Sequence, residues 1–90
     1  MADTYPIPVA PPLTLPRIVC DPRILGGEPT VRGTRISVRI VVLAQRGWGT
    51  TDRVLQEYPQ LERADIDAAL AYYQAHQSEV DRYVRENLED

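Results

Sequence analysis

The side chains able to do chemistry in this 90-residue chain are few in kind: ten arginines and no lysine, one cysteine and one histidine. Arginine is the residue suited to planar, two-pronged contacts with carboxylate or phosphate. Seven of the ten lie between Arg17 and Arg53, against only Asp21, Glu28 and Asp52, a net charge of +4. From Val54 onward nine acids face three arginines, a net of −6, and Asp3 brings the whole to −3. A basic half followed by an acidic half points to two different partners or to head-to-tail association. If phosphate is bound, Arg32, Arg35, Arg39 and Arg53 are the candidates; the same side chains also suit plain surface charge or internal ion pairs.

Catalytic constellations are absent from the pattern. His76 has Tyr72 and Asp81 as its helical neighbours, at poor spacing for a nucleophile, base and orienting group. Cys20 has no base beside it in sequence and reads as a small apolar strand residue. Asp65 and Asp67 lie two apart, so on a helix they face away from each other and cannot share a proton. Gly26-Gly27 lacks the lysine and the strand-loop-helix setting of a phosphate loop, and reads as a turn that permits positive φ. One histidine and one cysteine are too few for a structural zinc or an internal disulfide. No enzyme, catalytic residue, metal or cofactor is therefore expected.

These side chains need elements to hold them. Residues 1–16 form a proline-rich arm: Tyr5 to Pro16 carries five prolines, which remove backbone donors and fix φ, so the stretch is extended. Its Pro8-x-x-Pro11 spacing is a weak recognition pattern. Arg17–Cys20 and Thr30–Arg32 read as two short strands around the Gly26-Gly27-Glu28-Pro29 turn, with Thr34–Ile36 as an extension. Ser37 is a good N-cap for a helix from Val38 to Arg46 with Gly47 as its C′ residue. Thr50 or Thr51 caps the next helix, Asp52 opposes its macrodipole, and Pro59 ends it.

A third helix starts at Glu62, with Asp65 at N3 to reach back to free amides and Leu61 to pack on Ile66 as a hydrophobic staple. Ile66, Leu70, Tyr73, Gln77, Val80 and Val84 step by four and three, a seam along one long helix or two with a bend near His76–Ser78. Asp81–Arg85 and Arg85–Glu89 are spaced as i,i+4 ion pairs. The fold class is α+β, mainly α: a short N-terminal hairpin, three helices in the order of a helix-turn-helix unit, and a C-terminal helix. Residues 17–76 form the domain and 77–90 a helical extension.

Val80, Val84 and Leu88 recur four apart with Tyr83 beside them, more apolar stripe than a three-helix core can bury. Such spacing suits helix-in-groove recognition, and Arg82 and Arg85 flank it. The stripe alternatively folds back on the core or pairs with a second copy. No apolar run approaches the ~20 residues of a bilayer span, and Met1 to Leu15 lacks the basic start of a secretory signal, so a reducing cytoplasmic setting is expected, with no membrane.

The run from Ile18 to Val38, with Asp21-Pro22, Gly26-Gly27-Glu28-Pro29 and Gly33-Thr34-Arg35-Ile36, resembles domain-of-unknown-function family 433, DUF433. Gly47, Tyr58-Pro59-Gln60-Leu61 and the stretch Asp65 to Tyr72 continue the pattern, over about residues 17–76. The family is similar to VapB-type antitoxins, whose genes sit beside a small PIN-like ribonuclease toxin, and its fold is described as homeodomain-like. The resemblance thus implies a hairpin joined to a helix-turn-helix, a PIN-like ribonuclease toxin as partner, operator DNA as a second one, and a homodimer or toxin–antitoxin hetero-oligomer. It makes Val80, Arg82, Tyr83, Val84, Arg85 and Leu88 the toxin-binding candidates, with Arg82 and Arg85 facing the acidic metal site of the toxin. Two departures stand out: Glu62 replaces the usual Ser or Thr cap, and the third helix begins Glu62-Arg-Ala-Asp-Ile-Asp67, too acidic to enter a groove lined with phosphate.

Overall fold

A computed structural model describes residues 16–88, the side chain of Leu88 excepted. The proline-rich arm before Pro16 lies outside the described residues. Two strands, β1 (Ile18–Val19) and β2 (Thr30–Val31), pair antiparallel with Ile18 opposite Val31 and Val19 opposite Thr30. Both are shorter than their β-branched runs. Between them, Gly26 and Gly27 take φ of 66° and 94° in a tight 3-10 turn, the left-handed region that their missing Cβ permits. Cys20 falls just past the end of β1 and is exposed, so it is not the strand residue expected. Asp21-Pro22 turns the chain before another ladder bond can form.

The segment Thr34–Ile36 is not a strand. The Thr34 hydroxyl donates to the Val31 carbonyl at 2.8 Å and accepts from the Ile36 amide at 3.0 Å, closing a turn that only a single Thr30–Ser37 bridge follows. That turn delivers Ser37 to the start of α1 (Val38–Trp48), where its hydroxyl accepts from the Ile40 amide at 3.1 Å. The helix passes through Gly47 and ends at Gly49, φ 85°, whose amide donates to the Gln45 carbonyl at 2.8 Å. Both glycines satisfy the local rule. Gly49 wins because it abuts Thr50, so one left-handed residue ends α1 and sets up the next cap.

Thr50 caps α2 (Thr51–Glu57), accepting from the Arg53 amide at 3.2 Å. The helix stops at Glu57 because Tyr58 precedes Pro59 and leaves the helical region, at φ −126° and ψ 73°. The third helix, α3 (Arg63–Ala75), starts as its sequence says: the Glu62 amide donates to Asp65 Oδ2 at 2.8 Å. At His76, φ −137° and ψ 44°, the chain breaks, and α4 (Gln77–Leu88) follows as a separate helix. The fold is α+β and mainly α, with four helices behind one short hairpin among the described residues.

One core serves all of it. Val31 and Ile36 come from the hairpin side, Val38, Val41 and Val42 from α1, Val54 from α2, Ile66 and Ala69 from α3, and Leu61 from the connection before it. Val80 of α4 completes the core at 1% exposure. The break at His76 lets α4 turn back against α1, so the stripe expected to stand open is covered at its first anchor.

Candidate binding surface

Most of the arginines are already engaged. Arg39 donates from Nε to Glu28 Oε2 at 2.8 Å and from Nη2 to Oε1 at 3.3 Å, a two-pronged pair whose side chains are only 15% and 6% exposed. It is therefore a structural residue bracing the 3-10 turn against α1, and a poor DNA contact. Arg53 donates to Glu57 at 3.2 Å and stands 5.5 Å over the Trp48 ring. Arg63 pairs with Asp52. Arg23 clasps Asp21 at 2.9 Å, and that bond, with the Arg23 amide, holds the Asp21 carboxyl below its usual pKa.

Arg32 and Arg35 differ. They sit on the one turn that joins β2 to α1, both exposed. Arg32 uses Nε on the Pro16 carbonyl at 2.8 Å, and neither has a carboxylate partner among the described residues. Of the four phosphate candidates, these two share one turn; Arg39 is locked in its buried pair, and Arg53 stands on α2 in an exposed i,i+4 pair with Glu57 that water screens.

Arg17, passed over in the sequence, ties β1 to α3. Its Nη1 donates to Asp65 Oδ1 at 2.8 Å and to Glu62 Oε1 at 3.3 Å, and the Asp65 bond chiefly raises the Arg17 pKa. Asp65 thus serves two masters, the α3 cap and Arg17, and is itself buried. The α3 start holds an acid-lined, Arg-neutralised joint, with Asp67 left exposed.

On α4, Tyr83 and Val84 are half-buried, while Arg82 and Arg85 are exposed. Arg82 lies 4.8 Å over the Tyr83 ring and 3.4 Å from Glu86. Val80, placed among the docking anchors by its spacing, is a core residue and is not available to a partner. The Leu88 side chain and Glu89 lie outside the described residues. The expected Asp81–Arg85 pair does not form: Asp81 instead accepts from the Tyr73 hydroxyl at 2.9 Å, and that hydroxyl accepts from Arg46 at 2.8 Å. Tyr72 makes the matching bond to Glu79 at 2.8 Å and stacks on His76 at 4.1 Å; burial, then Glu79, pushes its hydroxyl pKa up. These two tyrosines fix the angle between α3 and α4, a role no local spacing reveals.

Trp48 is the other surface feature missed in sequence. It ends α1 at 39% exposure, with Tyr58 at 6.2 Å between ring centroids and Arg53 above it. Among the described residues there is no cluster of three metal-ligating side chains. Among these residues no helix is long and apolar enough to cross a membrane. What the surface presents is arginine and aromatic rings, the side chains that carry most energy in protein contacts.

Residues 18–73 match the family model described as "Protein of unknown function (DUF433)". The chain is 36% identical over 59 residues to "Uncharacterized protein y4eO" of Sinorhizobium fredii (strain NBRC 101917 / NGR234), a match covering 66% of this chain and 27% of that protein. It thus spans about a quarter of the length of that curated relative. Its fold superposes on the crystal structure of a DUF433 member protein from Anabaena variabilis ATCC 29413 with a TM-score of 0.69 at 32% identity, over 82% of this chain and 73% of that one.

Proposed function

The chain belongs to the DUF433 family, and we propose that it is a VapB-type antitoxin that binds and neutralises a PIN-like ribonuclease toxin. The observation that carries this reading is the outer side of α4. Arg82 and Arg85 are exposed there beside the half-buried Tyr83 and Val84, on a helix that Val80 fixes to the core. A rigid helix presenting two guanidiniums next to an aromatic ring suits an acid-lined cleft, where arginine makes two-pronged contacts with carboxylates. The resemblance to VapB-type antitoxins supplies the partner class, since a PIN-like ribonuclease gathers acids at its metal site. The test is co-expression with the product of the neighbouring gene. The complex should co-purify, and Arg82→Glu with Arg85→Glu should lose both co-purification and neutralisation while circular dichroism stays native. Co-purification of the double variant at wild-type yield sinks the assignment of α4.

Operator binding is the second reading, as autorepression by the antitoxin or as the work of a stand-alone helix-turn-helix regulator. It is favoured by one feature: Arg32 and Arg35 on a single turn with no carboxylate partner among the described residues. Each phosphate they neutralise releases counterions, so Arg32→Ala with Arg35→Ala should lower the salt slope of DNA binding by up to about two units. An unchanged slope removes the turn from any DNA contact. A third reading, a module that dimerises through its hairpin or helices, predicts a concentration-dependent mass with no toxin present.

A further inference from the structure

The Trp48 surface is not used by either reading. Trp48 is one of the two large apolar side chains that stand exposed among the described residues, yet it is not loose. Tyr58 stands against it at 6.2 Å with the ring planes at 51°, and Arg53, also bonded to Glu57 at 3.2 Å, lies 5.5 Å above it. With a guanidinium over the indole and a tyrosine tilted against it, the surface that Trp48 still exposes is an oriented apolar shelf. Shelves of this kind take polyproline segments, whose preformed left-handed helix lays proline rings across aromatic side chains at little entropic cost.

Such a segment is in this chain. Residues 5–15 read Tyr-Pro-Ile-Pro-Val-Ala-Pro-Pro-Leu-Thr-Leu, four prolines with apolar residues between them and no charge. Its root is well placed. Arg17 is bonded to Glu62 and Asp65, at the connection between α2 and α3. Glu62 follows directly on the turn in which the Leu61 amide donates to the Tyr58 carbonyl at 2.9 Å, so the Arg17 side chain ties the root of the arm to the far end of the connection that begins at Tyr58. Eleven residues in polyproline form span roughly 34 Å, about twice the ~16 Å length of α1, which starts beside the hairpin at Ser37 and ends at Trp48.

We infer that the Trp48–Tyr58–Arg53 shelf is the docking site of the chain's own proline-rich segment, residues 5–15. Docking in the same molecule converts a weak, uncharged contact into a high-effective-concentration one, because the segment is tethered to the domain at residue 16. A protein partner that takes the arm must then first displace it from Trp48.

Trp48 is the sole tryptophan, so its indole N–H gives one resolved resonance. The test uses the full chain with Cys20→Ser and Thr4→Cys, carrying a nitroxide at position 4. The indole signal should lose most of its intensity, and should regain it when Pro8→Gly, Pro11→Gly and Pro12→Gly are added. Arg53→Ala should also restore it in part, with the fold checked by circular dichroism. An unbroadened indole overturns the inference, as does broadening that survives the three glycines. A mixed sample of nitroxide-bearing unlabelled chains and isotope-labelled, nitroxide-free chains must stay sharp. Broadening there means the arm of a second copy sits on the shelf, which overturns docking within one molecule.

Discussion

Two arginine–glutamate pairs, alike on paper, sit in opposite environments. Arg39 and Glu28 join α1 to the 3-10 turn with side chains 15% and 6% exposed, and both bonds of the fork are made. Arg82 and Glu86 face each other one turn apart on α4 with side chains 51% and 55% exposed, at 3.4 Å. Water screens the second pair and leaves its arginine at liberty to exchange partners. The first has given up solvent on both sides and can be exchanged only by unfolding the turn. Charge in the hairpin region is thus largely invested in the fold, and charge on the outer side of α4 is available for binding.

The largest test breaks the buried pair. Arg39→Ala leaves Glu28 without its partner in a nearly dry site, which should cost about 3–5 kcal/mol in urea denaturation. Arg39→Met with Glu28→Gln should recover much of that, since the stranded charge is gone. A loss of only a few tenths of a kcal/mol for Arg39→Ala erases the contrast between the two regions.

Next comes the seam of α4. Val80→Ala removes two methyl groups from the core and should cost about 2 kcal/mol, counting transfer and cavity. Val84→Ala, from a half-buried site, should cost about half as much. Equal costs at the two positions mean that α4 packs differently from the structure, with its register turned.

How much of this was legible in sequence depended on reach. Caps and turns act within a few residues, so Ser37, Thr50, Glu62 with Asp65, and the Gly26-Gly27 turn were all readable as types at fixed offsets. The end of α1, read at Gly47, was wrong by two residues: Gly49 meets the same local rule, and the neighbouring cap at Thr50 decided between them. The long-range joints were out of reach. Arg17 meets Asp65 across 48 positions, and nothing in either neighbourhood marks the other. Val80 failed for the same reason. Its spacing within α4 described a stripe correctly, but whether a stripe is core or surface depends on where the helix is turned, and that is set by the break at His76 and the Tyr72–Glu79 and Tyr73–Asp81 bonds. The candidate surface suffered most, since an arginine's type says nothing about whether its partner is internal.

A smaller effect tests the hairpin region from its edge. Arg23 and the Arg23 amide depress the Asp21 carboxyl pKa below its ordinary 3.8. A carboxylate whose folded pKa is lowered contributes stability above its unfolded pKa and loses it as pH falls through the folded value. The chain should therefore lose a small increment of stability as pH drops below about 4, and Arg23→Ala should flatten that part of the pH–stability curve. A wild-type slope in the variant shows that other carboxylates dominate the acid limb.

The smallest expected change in stability is the most informative. Arg82→Ala breaks only an exposed i,i+4 pair, worth a few tenths of a kcal/mol at most, and should leave the denaturation midpoint within error of the wild type. Arg85 has no ion pair among the described residues, so Arg85→Ala should be equally silent. If the proposed antitoxin function holds, the two substitutions together should nevertheless weaken binding to the toxin by a factor of ten or more, because a guanidinium buried against carboxylates in an interface carries about 1.5–3 kcal/mol. Arg39→Ala should also weaken binding, but only in proportion to the fraction unfolded, and low urea-free temperature should restore it. Separating these two signatures, binding lost with stability intact and binding lost through stability, is what divides an arginine that recognises from one that holds. If the Arg82 and Arg85 variant binds as tightly as the wild type, the outer side of α4 is ordinary solvated surface, and the contact proposed for a toxin moves to the Arg32–Arg35 turn or the Trp48 shelf.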